Sequence, residues 1–159
     1  MRQGLRQELV ASRPNPDGSG RFERFGWIYQ RDDGSMLVQY HQGPTGECSS
    51  TTMPPAFIPG THVVGMYHTH PSLSGEIYLT PGCVKKGKAD PFSNGGGSDE
   101  DWKVPDNPNY GNNPMYIISA AGIISRLTPG WPKNNRPANP HRWRFNPSNP
   151  QSCLTTYVP

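Results

Sequence analysis

The chain has 159 residues, the length of one domain, with only 32% hydrophobic residues and with glycine (18) and proline (19) in excess. A small packed centre with long ordered loops is expected, and several dense apolar runs exclude a wholly disordered chain. The formal charge of +3 is concentrated at the end: residues 129–159 carry Lys133, Arg136, Arg142 and Arg144 and no acid, against 11 bases and 12 acids in the remainder. Trp131, Trp143 and Phe145 interleave with these bases, but no nucleic-acid-binding motif accompanies them, which argues for a terminal strap rather than a nucleic-acid surface.

Residues 5–11 (LRQELVA) pair Leu5 and Leu9 at i, i+4 and predict a short helix ending before the turn-rich RPNPDGSG. FERFGWIYQ (22–30) reads as an aromatic-rich strand, Asp33-Gly34 as the centre of a hairpin turn, and MLVQYHQ (36–42) as the returning strand. A loop follows, with a short extended piece at Ala56–Ile58. THVVGMYHTH (61–70) is apolar on both faces and predicts a central strand. Residues 71–97 read as irregular. Ser98 is a good N-cap, and Asp99, Glu100 and Asp101 suit a first helical turn, which Pro105 and Pro108 keep short. MYIISAAGIISRLT (115–128) predicts two strands around an Ala121-Gly122 turn. The expected architecture is α/β, with a mixed or largely antiparallel sheet and few helices, over residues 1–128. Residues 129–159 form the basic strap.

Cys48, Cys83 and Cys153 contain no CxxC pair, which excludes a cysteine-cluster zinc site and leaves open either one disulfide with a free thiol or three thiols. No apolar run approaches membrane-spanning length, and MRQGLRQELVASR lacks a signal-peptide hydrophobic region. The expectation is a soluble protein, either cytoplasmic or secreted by a non-classical effector route.

Chemistry centres on GMYHTHPSL (65–73). Residues i and i+2 of a strand share a face, so His68 and His70 can present two imidazoles to one metal ion at a strand end. His62 is expected on the same face but roughly 20 Å back. A catalytic zinc site needs a third protein ligand, and Asp101 is favoured over Asp99, with Asp90 and Glu76 less well placed. Each feature also has a plain reading: a strand histidine pair, a helix cap at Ser98, a dipole-complementing Asp101 and a surface glutamate at Glu23.

HTHP at 68–71 followed by Ser98-x-x-Asp101 resembles the JAMM motif of the JAB/MPN metallopeptidase family. Glu23-Arg24-Phe25-Gly26-Trp27-Ile28 is similar to that family's upstream ExxGxI, and the GxIY and YHTHP wording resembles the JAB-like domains of bacterial Rhs-type polymorphic toxins. The motifs fall in the family's order over residues 23–127, within a domain that the resemblance makes JAB/MPN-like, related to the cytidine-deaminase fold. The resemblance implies one Zn²⁺ held by His68, His70 and Asp101, with Glu23 as general base and acid and Ser98 as hydrogen-bond donor to the oxyanion. It implies hydrolysis of a peptide or isopeptide bond, with a ubiquitin-like isopeptide, a target-protein loop or a peptidoglycan peptide as substrates, and a cognate immunity protein as a partner if the domain is a toxin. The sequence departs from the family in the 26 residues between Pro71 and Ser98, an insertion expected to form a flap beside the site. Two other classes compete: an MPN-like binding module without metal, and a nucleobase deaminase, which the absence of HxE and PCxxC disfavours.

Overall fold

A computed structural model describes residues 1–15, 17, 19–41, 53–77 and 97–130, together with the backbone of two strands at 141–145 and 153–154. Residues 78–96 of the insertion, with Cys83, Asp90 and KKGK, lie outside the described residues, as does Cys48.

Helix α1 (Arg2–Ser12) is longer than the leucine pair required, and its buried Leu5 packs on the sheet. Strands β1 (Phe25–Arg31) and β2 (Met36–His41) form the expected hairpin. Its turn closes through Gly34, whose φ of 80° suits a residue without Cβ. β3 (Thr61–His70), the short helix α2 (Asp99–Lys103), a 3₁₀ turn at Pro108–Tyr110, and β4 (Met115–Ser119) with β5 (Ile123–Leu127) complete the described side chains. β6 (His141–Phe145) and β7 (Cys153–Leu154) extend the sheet, so the C-terminal stretch contributes strands to it. The expected extended piece at Ala56–Ile58 pairs with no strand; instead this loop is tied to β1 by Trp27 Nε1 donating to Met53 O (2.8 Å) and Tyr29 Oη to Ala56 O (3.1 Å).

Strand order is β2-β1-β3-β4-β5-β6-β7, with β3 central as its two-faced apolarity required. Among the described strands only β3 and β4 run parallel; the other neighbouring pairs are antiparallel. A parallel pair needs a crossover, and here the crossover from His70 to Met115 carries α2. The two faces bury different sets. Phe25, Trp27, Tyr29, Met66, Met115, Ile117 and Leu127 pack with Trp102 of α2 on one, while Ile28, Tyr67, Ile118 and Ile124 pack with Leu5 of α1 on the other. The sheet is thus covered by α2 on one side and α1 on the other.

A register shift between Ile28 and Tyr29 corrects one sequence expectation. Ile28 pairs with Gly65 but Tyr29 pairs with Val63, so β3 carries an extra residue there. A one-residue bulge reverses which face each side chain meets. Val63 packs on the α2 face and Val64 on the α1 face, and His62 pairs with Gln30, next to Tyr29. His62 therefore lies on the face opposite His68 and His70, where its Nε2 meets Gln30 Oε1 at 3.1 Å.

Candidate metal centre

Alternation along β3 places His68 and His70 with Met66 on the α2 face, at the carboxyl end of the strand, where Pro71 stops the ladder. Both are buried, and their ring centroids are 4.6 Å apart. The end is held from both sides. Thr69 N donates to Arg24 O (3.0 Å) and Thr69 Oγ1 accepts from Arg24 N (2.9 Å), while Ala120 N donates to His70 O (2.8 Å).

Asp101 arrives on α2. Ser98 and Asp101 form a reciprocal capping box: Ser98 Oγ accepts from Asp101 N (3.2 Å), and Asp101 Oδ2 accepts from Ser98 N (2.6 Å) and Ser98 Oγ (2.7 Å). Gly97 and Trp102 set the depth of this turn. A Cβ at Gly97 would lie 3.0 Å from Leu127 and 3.1 Å from Ile117, so the backbone can approach the core only without one. With Trp102 buried beside it, Asp101 is turned inward and is only 7% exposed. Its Oδ1 lies 3.5 Å from His68 Nε2 and its Oδ2 3.7 Å from His70 Nε2. Burial pushes the Asp101 carboxyl up, but the two imidazoles and the Ser98 hydrogen bonds outweigh it and hold the carboxyl below its ordinary value.

His68, His70 and Asp101 offer one ligand atom each, all within 4.8 Å of one another. This donor set fits a divalent cation. Two imidazole nitrogens and a carboxylate oxygen are zinc-type ligands, and a buried carboxylate facing two imidazoles is a charge arrangement that a cation completes. Ser98 donates twice to Oδ2, which fixes the carboxylate's orientation, and Oδ1 lies nearer His68.

The other sequence candidates are sorted by the same geometry. Asp99 is exposed in the first turn of α2. Glu76 is engaged elsewhere: its carboxylate binds Arg13 (2.5 and 2.6 Å), Arg21 (2.8 Å) and the N–H of Leu73 (2.7 Å). Arg13, first by its hydrogen bonds, pulls the Glu76 carboxyl down to about 2 against the cost of burial. With Arg13 Nη1 also on Pro71 O (3.0 Å) and Arg21 Nη2 on Ile77 O (2.6 Å), this cluster pins the backbone that leaves the histidine strand. Sequence reasoning missed it because both arginines lie more than 50 residues from Glu76 in the chain.

Glu23 precedes the start of β1, which begins at Phe25 rather than at Phe22 as expected. The pairing of Phe25 with His68, continued by the Arg24–Thr69 bonds, carries the backbone of Glu23 toward the level of His70. It is 8% exposed, which removes the reading as a surface glutamate. The glycine of ExxG has a packing reason: a Cβ at Gly26 would stand 2.1 Å from Gln39 O and 2.6 Å from the Tyr67 ring. Ser98 touches Asp101, and its one hydroxyl proton is spent on that carboxylate.

Comparisons of the chain with protein-family models, with curated proteins and with solved structures find no match.

Proposed function

We propose that this domain is a metal-dependent amide hydrolase, a zinc peptidase or isopeptidase of the JAB/MPN type. The observation that supports the reading is the buried convergence of His68, His70 and Asp101 across a 30-residue gap in sequence. A zinc ion there would supply a Lewis acid and lower the pKa of water to about 7. Glu23, entering at the level of His70, takes the proton of the attacking water and delivers it to the leaving nitrogen. Ser98 orients Asp101 in the resting state; to donate to the substrate's developing oxyanion it must release Asp101 Oδ2. The substrate is a protein or peptide, with a ubiquitin-like isopeptide and a peptidoglycan peptide as the candidates, and a bacterial toxin or effector role would bring an immunity protein as partner.

The test is metal analysis of purified protein together with three variants. Wild type is expected to hold close to one zinc per chain, and His70→Ala and Asp101→Asn to lose it while staying folded. The asparagine is preferred because it keeps an acceptor for the Ser98 N–H. Glu23→Gln should retain zinc and lose about 10²–10⁴-fold in hydrolysis of a confirmed substrate. Folded wild type that takes up no zinc would falsify the proposal.

A further inference from the structure

Ser119 ends β4 directly beside His70. The two residues are register partners in the parallel pairing of β3 and β4, so their side chains leave the same face. Strand alternation agrees: Met115 and Ile117 lie in the α2-side core, and Ser119 continues that series. Its hydroxyl is fully buried and has no hydrogen-bond partner among the described residues. An unsatisfied buried hydroxyl is a net cost to folding. An alanine would fill the same position without it.

The position of this hydroxyl gives it a use. Parallel strands put their carboxyl ends on one edge, and ligand sites of α/β sheets form where neighbouring connections diverge beyond such ends. Here β3 leaves toward α2 through Pro71, while β4 turns back through Gly122. His70 and Ser119 face the gap between them. In the structure Oγ makes no bond to the His70 ring; with neighbouring strands about 4.8 Å apart, a turn about the Cα–Cβ bond of Ser119 is what would aim it there. Ring nitrogens of metal-bound histidines are oriented by such outer partners, whose loss weakens metal binding about 10–100-fold.

We infer that Ser119 is a positioning residue of the metal centre, its hydroxyl orienting the His70 imidazole for the cation. The inference rests on the metal-site reading above and adds a residue outside the HTHP and Ser98-x-x-Asp101 motifs. Ser125 is the natural control. It is equally buried, equally without a partner among the described residues and on the same face, but it sits opposite Ile117, away from His70.

The experiment titrates Co²⁺ and Zn²⁺ into metal-free protein against a chromophoric chelator, for wild type, Ser119→Ala, Ser119→Thr and Ser125→Ala. Thermal melts of the metal-free proteins are run alongside. Ser119→Ala is expected to bind both ions about 10-fold or more weakly, with an altered visible Co²⁺ spectrum and a metal-free melting temperature unchanged or raised. Ser119→Thr, which keeps the hydroxyl, should recover most of the affinity, and Ser125→Ala should match wild type. Equal affinity and spectra for Ser119→Ala and wild type overturn the assignment of Ser119 and leave the metal centre standing. Equal weakening in Ser125→Ala also overturns it, since the effect then belongs to the face as a whole. Wild type that binds neither ion overturns the metal-site reading itself.

Discussion

Two ionic clusters flank Pro71, one half-buried around Glu76 and one buried around Asp101, and they are built on opposite plans. On one side, Glu76 receives two guanidiniums and a backbone N–H, so the carboxylate is fully compensated by the chain's own cations. On the other, Asp101 faces two imidazoles, whose nitrogens are weak bases at neutral pH and good metal ligands in their neutral form. The first cluster is closed by arginines that hold a loop in place. The second brings three possible ligand atoms within 4.8 Å of one another, and the charged neighbours of its carboxylate are the two imidazoles. A protein that needed only to satisfy Asp101 had arginine at its disposal, as it used for Glu76. The contrast separates a structural ion cluster from a group that could hold a metal ion.

The largest expected effects come from exchanging the properties of the two clusters. Metal at about 100 times its dissociation constant should stabilise wild type by about 2.7 kcal/mol. That corresponds to a rise of roughly 5–10 °C in melting temperature for a chain of this size. His70→Ala should abolish this increment. Glu76→Gln should keep the whole increment while lowering the stability of both metal-free and metal-loaded protein by roughly 2 kcal/mol. That figure lies between the 3–5 kcal/mol typical of breaking a fully buried pair and the near-zero worth of exposed ones, since the Glu76 side chain is 24% exposed and Arg21 only 2%. Calorimetry with and without metal reads both. A Glu76 variant that loses metal binding as well would show that the clusters are one unit and dissolve the contrast.

The Glu76 cluster also responds to acid. The folded Glu76 carboxyl is lowered from an ordinary 4.5 to about 2, so its ionised form is favoured in the folded protein. A depressed carboxyl contributes stability that is fully present above its unfolded value and is lost as pH falls through the folded one. The difference in unfolding free energy between wild type and Glu76→Gln should therefore be constant above about pH 4.5, shrink between about 4.5 and about 2, and be gone below. Urea titrations of metal-free protein across that range measure it. A gap that persists undiminished at pH 2 would assign the stabilisation to packing rather than to charge.

A smaller effect sharpens the role of Ser98, which belongs to α2's cap and to the open cluster at once. Ser98→Ala removes one of the two hydrogen bonds to Asp101 Oδ2 and the acceptor for Asp101 N. Loss of such a cap costs about 1 kcal/mol. Metal affinity should fall with it, because the carboxylate loses part of its orientation. Unchanged affinity with the full loss of stability would make Ser98 a cap and nothing more.

What was legible in the sequence follows from the range of the interactions concerned. The histidine pair is a local fact of strand alternation, and Ser98-x-x-Asp101 is a local fact of helix capping. Both are written within a few residues, and both appear in the fold with their expected geometry. The hairpins were equally visible, because Gly34 and Gly122 mark turns at positive φ. The Arg13–Arg21–Glu76 cluster was not legible, since nothing local distinguishes those charges from solvated ones. Ser119 was hidden for a related reason: its partner across the sheet is set by the parallel register of β3 and β4, which no single stretch of sequence encodes. The motifs of the candidate metal site were read from residue type and order; their surroundings needed the sheet.

His62 gives the smallest expected effect and tests the least visible feature of the sheet. Simple alternation from His70 puts His62 with the metal ligands, but the bulge between Ile28/Tyr29 and Val63/Gly65 turns it to the opposite face. There it contacts Gln30 at an exposed position. His62→Ala should change stability by less than about 0.5 kcal/mol, as exposed substitutions do, and should leave both metal stoichiometry and affinity at wild-type values. The bulge itself can be probed through the neighbouring glycine. A Cβ at Gly65 would meet the Tyr116 ring at 3.2 Å and Pro114 O at 3.3 Å, so Gly65→Ala tightens β3 against the approach to β4. If that variant moved metal affinity while His62→Ala did not, the bulge would be acting through the position of the β3 end, where His68 and His70 stand. If His62→Ala alone weakened the metal, the extra residue in β3 would be misplaced, and the face of every residue before Gly65 would have to be reassigned.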